Sequence, residues 1–225
     1  MSIPLNLFTM WHSKDLPPIM KEVYEITKNN NPEFKFHLFD VDDCRCFLMK
    51  NFEESVINAY DNLIPIAFKT DLWRYCILYI YGGIYYDIKF KTMNNFKFIE
   101  LLDTEYFCRD MHSLDTVYNA LLIRKAGCPI LYKAIYKIVE NVNNKFRGLG
   151  SLDPTGPILL TNCLTDYEKE KIGNDNAKLR LRNDVNIHFN NRIILMRYPE
   201  YREEQSIYQI TEHYDKMWRE GNIYK

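Results

Sequence analysis

Apolar residues dominate from Ile66 to Ile84, and the run is cut by Gly82-Gly83. A stretch this long exceeds an ordinary strand, so it predicts a helix from Ile66 to about Tyr81, buried nearly all round. Pro65 suits the first turn of that helix, and the glycine pair supplies its end. Ile84 to Asp87 then reads as a short β-branched and aromatic strand. Two charges, Asp71 and Arg74, sit inside the apolar helix, where charges are rare unless paired or used.

The same patterning divides the rest of the chain. Ile3 to Trp11 predicts a buried first strand, and His12 to Pro18 a loop whose prolines launch a helix over Ile19 to Lys28. Phe34 to Phe39 alternates as a second strand, with Asp40 placed to cap the helix after it. Helices follow at about Asp42 to Met49 and Glu53 to Tyr60. Phe90 to Phe98 reads as an irregular turn, and Glu105 to Cys108 as a short strand. Val117 to Ile123 fits either helix or strand. Pro129 opens an amphipathic helix to about Val142, and Ile158 to Leu164 a shorter one. Glu168 to Asn176 is polar, an exposed segment. Val185 to Phe189 and Ile193 to Met196 read as late strands, before a charged and aromatic tail. Alternating strands and helices predict an α/β chain with a mostly parallel central sheet flanked by helices.

Composition narrows the class. The chain has 225 residues, 47% hydrophobic, with a formal net charge of -1. That is ample for a core, and the lack of a basic field argues against nucleic acid as partner. None of the six cysteines forms a CxxC pair, and no Asn-x-Ser/Thr sequon occurs. No signal peptide is visible, and no apolar run reaches the ~20 residues of a membrane span. Buried, reduced thiols and a cytoplasmic setting are expected.

Asp71 and Arg74 are three apart on one helix and share a face. A local ion pair is one reading. Desolvation offsets most of the gain of such a pair when buried, so a site using carboxylate and guanidinium on polyol hydroxyls and phosphate explains them better. Asp87 ends its strand, where open α/β sheets bind ligands. It could hold a metal on a diphosphate or a ribose hydroxyl, or cap a turn. Asn119 could meet sugar hydroxyls or sit in a turn. His213 and Trp218 lie in the polar tail, and Arg180, Arg182, Arg192, Arg197 and Arg202 form a basic cluster diluted by Asp184, Glu200 and Glu203.

From Ala67 to Lys89 the chain resembles glycosyltransferase family 32, the group with a DXD-containing sugar-binding region that includes initiating mannosyltransferases. Thr70, Asp71, Arg74, Tyr75, Gly82, Gly83, Ile84, Tyr85 and Asp87 fall in step with the family pattern. Weaker likenesses are the Ile-Pro start with Trp11, Asn119, Gly127-Cys128-Pro129, Thr155-Gly156-Pro157, His213 and Trp218. A more distant resemblance is to the glucosyltransferase domain of large clostridial toxins. The resemblance implies a GT-A-type fold over residues 1–225, with a nucleotide-sugar-binding half (1–110) and an acceptor-side half with the tail (111–225). It implies retaining transfer of a hexosyl group from a UDP- or GDP-sugar to a glycan or glycoprotein. Trp11 would stack on the base; Asp71, Arg74, Tyr85, Asp87, Asn119 and Trp218 would bind the donor. Asp71, Arg74, Asp87 and Lys89 would form the catalytic group.

The family's last DXD carboxylate is Lys89 here. Three readings follow. Lys89 could replace the charge of the Mn2+ or Mg2+ that the resemblance implies; Asp87 and His213 could still hold that metal; or catalysis could be lost, leaving a nucleotide-sugar-binding or scaffold protein.

Overall fold

The computed structural model describes residues 2–111, 116–173, 177–183 and 185–225. Among them, nine strands join in one sheet, ordered β2-β1-β3-β6-β5-β7-β8-β9-β4. The first half is strand and helix in alternation: β1 (Asn6–Met10), α1 (Pro18–Asn30), β2 (Lys35–Phe39), α2 (Val41–Asn51), α3 (Glu54–Asn62), α4 (Ile66–Tyr81) and β3 (Gly83–Tyr86). Next come β4 (Phe90–Thr92), a single 3-10 turn (Phe98–Leu101), β5 (Tyr106–Arg109), β6 (Val117–Arg124), α5 (Pro129–Asn143) and α6 (Pro157–Cys163). The remainder is α7 (Asp166–Gly173), β7 (Leu179–Leu181), β8 (Ile187–Phe189), β9 (Arg192–Arg197), α8 (Tyr201–Tyr208) and α9 (Tyr214–Glu220).

The α/β class stands, but the sheet is mixed rather than mostly parallel. β1 runs parallel to β2 and β3. β6 then inserts antiparallel between β3 and β5, and β7, β8, β9 and β4 continue the sheet largely in antiparallel pairs. The ambiguous segment Val117 to Ile123 is thus a strand, and its reversed direction sets the character of the whole sheet. Phe90 to Thr92, read as part of a turn, pairs with β9 instead. Polar Glu168 lies in α7, which buries Ile172; the end of that predicted segment, Asn174 to Asn176, lies outside the described residues.

α4 is central, as its composition predicts: Phe68 and every residue from Thr70 to Leu78 are buried. Its end shows why two glycines stand there. Gly82 and Gly83 take φ of 61° and 117°, backbone that L side chains rarely adopt. A Cβ on Gly83 would meet the Asn6 carbonyl oxygen at 2.5 Å, so only glycine lets β3 start flush against β1.

Two further joints position the site. β6 changes register against β5 between Phe107 and Arg109. Leu122 and Asn119 therefore both face the α4 layer although they stand three positions apart, where a regular strand would turn them to opposite faces. At the other edge, Asp40 and Asp43 form a reciprocal cap for α2, as the sequence predicts. α1 has no cap of its own. The buried carboxylate of Glu204, from α8, accepts the amides of Ile19 (2.7 Å) and Met20 (2.9 Å) and the Tyr198 hydroxyl (2.9 Å).

Candidate active site

β1 ends at Met10-Trp11 and β3 at Tyr86-Asp87, side by side on one edge of the sheet. The antiparallel β6 begins at that same edge, so Tyr118 and Asn119 arrive beside the end of β3. α4 contributes Asp71 and Arg74 from one flank, and the segment before α6 contributes Thr155 from another. All of these but Tyr86 and Thr155, the latter fully buried behind Asp71, wall a cavity of about 440 Å³ that also receives Arg197, Tyr201, Arg202 and His213. Ligand sites in open α/β sheets lie at this position, outside the carboxyl ends of the strands.

The floor of the cavity is a chain of alternating charges. Asp71 Oδ1 lies 3.3 Å from Arg74 Nη2, Arg74 Nη1 lies 3.4 Å from Asp87 Oδ1, and Lys89 Nζ lies 2.6 Å from Asp87 Oδ2. Each member is further fixed. Asp71 accepts from Asn119 Nδ2 at 2.9 Å and from the Thr155 hydroxyl at 2.8 Å. Arg74 Nη1 donates to the Asn119 carbonyl at 2.7 Å, and its guanidinium lies 4.4 Å from the Tyr85 ring centre. Tyr85 donates its hydroxyl to Asp87 at 2.7 Å. Asp71 and Arg74 are nearly closed off, whereas the side chains of Asp87 and Lys89 keep 20% and 22% of their surface exposed.

Electrostatics separate the two carboxylates. Burial raises the Asp71 pKa, and Arg74, Thr155 and Asn119 only partly offset it. Burial also acts on Asp87. There the charges of Lys89 and Arg74 and the hydrogen bonds from Lys89 and Tyr85 prevail and hold it below the usual carboxylate range. Burial opposes the charge of Lys89, but Asp87 outweighs it and raises its pKa, so the ammonium is a fixed charge.

The structure therefore brings together Trp11, Asp71, Arg74, Tyr85, Asp87, Lys89 and Asn119 around one cavity, with His213 at its tail side. Trp11 is 8% exposed, and its Nε1 is buried without a hydrogen-bond partner. Trp218 lies outside the cavity lining, its ring half-buried against the α4–α5 core, with Nε1 donating to the Arg147 carbonyl at 2.7 Å. The basic cluster is split: Arg197 and Arg202 line the cavity, while Arg180 and Arg182 bond Asn191 and Arg192 pairs with Glu100. Asp184 lies outside the described residues. Cys46 is exposed, against the expectation of buried thiols; all six cysteines are free.

The predicted metal pair does not fit. Asp87 and His213 both line the cavity, but both oxygens of Asp87 already face donors, one of them the Lys89 ammonium. His213 turns Nδ1 onto the Asp215 amide as the cap of α9. Asp110, a third carboxylate in the lining, accepts the Met111 amide at 2.6 Å. Among the described residues no three His, Cys, Asp or Glu side chains group as metal ligands would.

Sequence reasoning missed Tyr118 and Tyr201, which line the cavity, and gave no role to Thr155. Thr155 had a signal in the Thr-Gly-Pro likeness. Tyr201 had none, because its place depends on α8 folding back over the cavity.

Comparison with known proteins agrees with this geometry. Residues 17–119, a little under half of the chain, match the glycosyltransferase sugar-binding region containing DXD motif. That span holds Asp71, Arg74, Tyr85, Asp87, Lys89 and Asn119 and excludes Trp11, His213 and Trp218. An uncharacterized glycosyltransferase of Acanthamoeba polyphaga mimivirus is 26% identical over 181 residues, 77% of this chain and 69% of that protein. The solved structure of the PaToxG glycosyltransferase superposes with a TM-score of 0.59 at 18% identity, over 76% of each chain. No helix among the described residues is long and apolar enough to cross a membrane. Residues 17–119 thus match the glycosyltransferase sugar-binding region containing DXD motif, and the chain shares the fold of a solved glycosyltransferase.

Proposed function

We propose that this protein is a retaining hexosyltransferase that takes its sugar from a UDP- or GDP-sugar and places it on a glycan or glycosylated acceptor. The observation that carries this is the alternating chain Asp71–Arg74–Asp87–Lys89 on the floor of a cavity large enough for such a donor. Asp71 is assigned to the donor sugar's hydroxyls, Arg74 and Lys89 to the diphosphate, Asp87 to the ribose and to orienting both cations, and Trp11 to the base. Residues 1–110 supply most of the donor contacts, and residues 111–225 close the acceptor side, with Asn119 reaching back to hold Asp71. Free cysteines suit a cytoplasmic setting.

The chemistry asks little of the protein beyond charge and position. The bond between the anomeric carbon and the β-phosphate oxygen breaks, and its electron pair stays on the phosphate. The acceptor hydroxyl oxygen bonds to the anomeric carbon from the same face, and its proton passes to the departing phosphate oxygen. Cationic donors stabilise the charge that grows on the diphosphate. A second reading is a catalytically degenerate nucleotide-sugar-binding protein. It is favoured by Asp71, whose two oxygens are both taken by Asn119, Thr155 and Arg74.

One assay separates the readings. Incubated with UDP- and GDP-sugars, with and without glycan acceptors, a transferase releases nucleoside diphosphate and labels an acceptor. Binding without release, across all donors and acceptors tried, would establish the degenerate reading instead.

A further inference from the structure

We propose that the chain neutralises the donor's diphosphate with side-chain cations, Lys89 foremost, and that no divalent ion bridges Asp87 to the phosphates. This rests on the nucleotide-sugar reading above and specifies how that site binds its ligand. The position where the DXD pattern places its last carboxylate carries an ammonium instead, 2.6 Å from Asp87 Oδ2. A dication at Asp87 would have to displace that ammonium and sit beside Arg74, whose Nη1 is 3.4 Å from the other oxygen. Two fixed positive charges at that range oppose a third.

The same charges fit a diphosphate. An ammonium has three donors; one is used on Asp87 and a second faces the Tyr118 hydroxyl, leaving one for a phosphate oxygen. Lys89 is held over the rings of Phe90 and Tyr118, which limits the freedom it loses on binding. The β4–β9 pairing sets Arg197 opposite Phe90, next along the chain from Lys89. Arg197 and Arg202 line the cavity and have no carboxylate partner among the described residues. Four cations of the lining are therefore Arg74, Lys89, Arg197 and Arg202, and the last two are not spent on protein anions.

The test is calorimetric titration of the full chain with UDP and GDP, in excess EDTA and again with Mn2+. The nucleotide that binds is expected to do so with Kd values within about twofold in the two solutions. Lys89→Met weakens binding by about tenfold or more, Lys89→Arg largely restores it, and Lys89→Asp makes it depend on Mn2+. Wild-type binding strengthened about tenfold by Mn2+, or Lys89→Met binding as tightly as wild type, overturns the proposal and leaves the donor reading standing. Failure of both nucleotides in both solutions overturns the two together. Should Lys89→Met not fold, the wild-type comparison between EDTA and Mn2+ decides alone.

Discussion

Asn119 holds Asp71 from across the cavity floor: its side-chain amide donates to Asp71 Oδ1 at 2.9 Å while its carbonyl accepts from Arg74 at 2.7 Å. One strand residue thus fixes both charges of the helix pair. Asp71→Asn removes the carboxylate while keeping its shape. Turnover is expected to fall by about 10²-fold or more, since the polar contact proposed for Asp71 with the reacting sugar is lost. Circular dichroism should stay native. A fully active Asp71→Asn protein would remove Asp71 from the chemistry.

The same residue predicts a pH effect. Burial raises the Asp71 pKa above its ordinary value of 3.8, so the folded state binds the proton at a pH where the unfolded chain does not. Its contribution to stability therefore grows as pH falls from neutrality toward that value. Melting temperatures of wild type and Asp71→Asn, measured over that range, should diverge in favour of wild type as pH drops. Asp87, with its pKa lowered, acts in the opposite sense. Its stabilisation is full above 3.8 and is lost as acid protonates it.

Of the three tryptophans, Trp11 alone lines the cavity; Trp73 is fully buried in the core and Trp218 packs outside. If the base stacks on Trp11, UDP or GDP should quench intrinsic fluorescence, and Trp11→Phe should abolish most of that signal. Quenching unchanged in Trp11→Phe would place the base elsewhere.

Glu204 joins the tail to the first helix. Glu204→Ala leaves two helix-terminal amides and the Tyr198 hydroxyl without their acceptor. The expected loss is about 3 kcal/mol, which for a chain of this size lowers Tm by roughly 10 °C. The donor KM should rise as well, because Tyr201 and Arg202 ride on the same helix. A Tm unchanged in Glu204→Ala would show that solvent replaces this clamp.

What could be read in the sequence follows from the range of the forces involved. α4, its Gly-Gly end and β3 depend on local composition and backbone freedom, and they appear where the pattern puts them. The cap at Asp40 is equally local. The direction of β6 is not, because a short apolar strand is the same string in either sense, and only its neighbours orient it. Phe90 to Thr92 is a strand because β9 lies beside it. Asp71 and Arg74 stood out as charges in apolar surroundings. Thr155, which donates to Asp71 from 84 positions away, carries no such contrast. Trp218 is ambiguous for the same reason: an aromatic in a polar tail serves core and cavity equally well until its partner is known.

The Glu204 clamp also bears on the order of events during synthesis. α1 is made early, yet the carboxylate that satisfies its leading amides is more than 180 positions further on. While the ribosome is still translating the stretch between them, α1 lacks its anchor and the cavity lacks the wall that Tyr201 and Arg202 provide. Until then the cavity stays open on that side. The proposed donor site is therefore completed late, once α8 and the segment after it, which brings His213 and Tyr214 to the lining, have emerged.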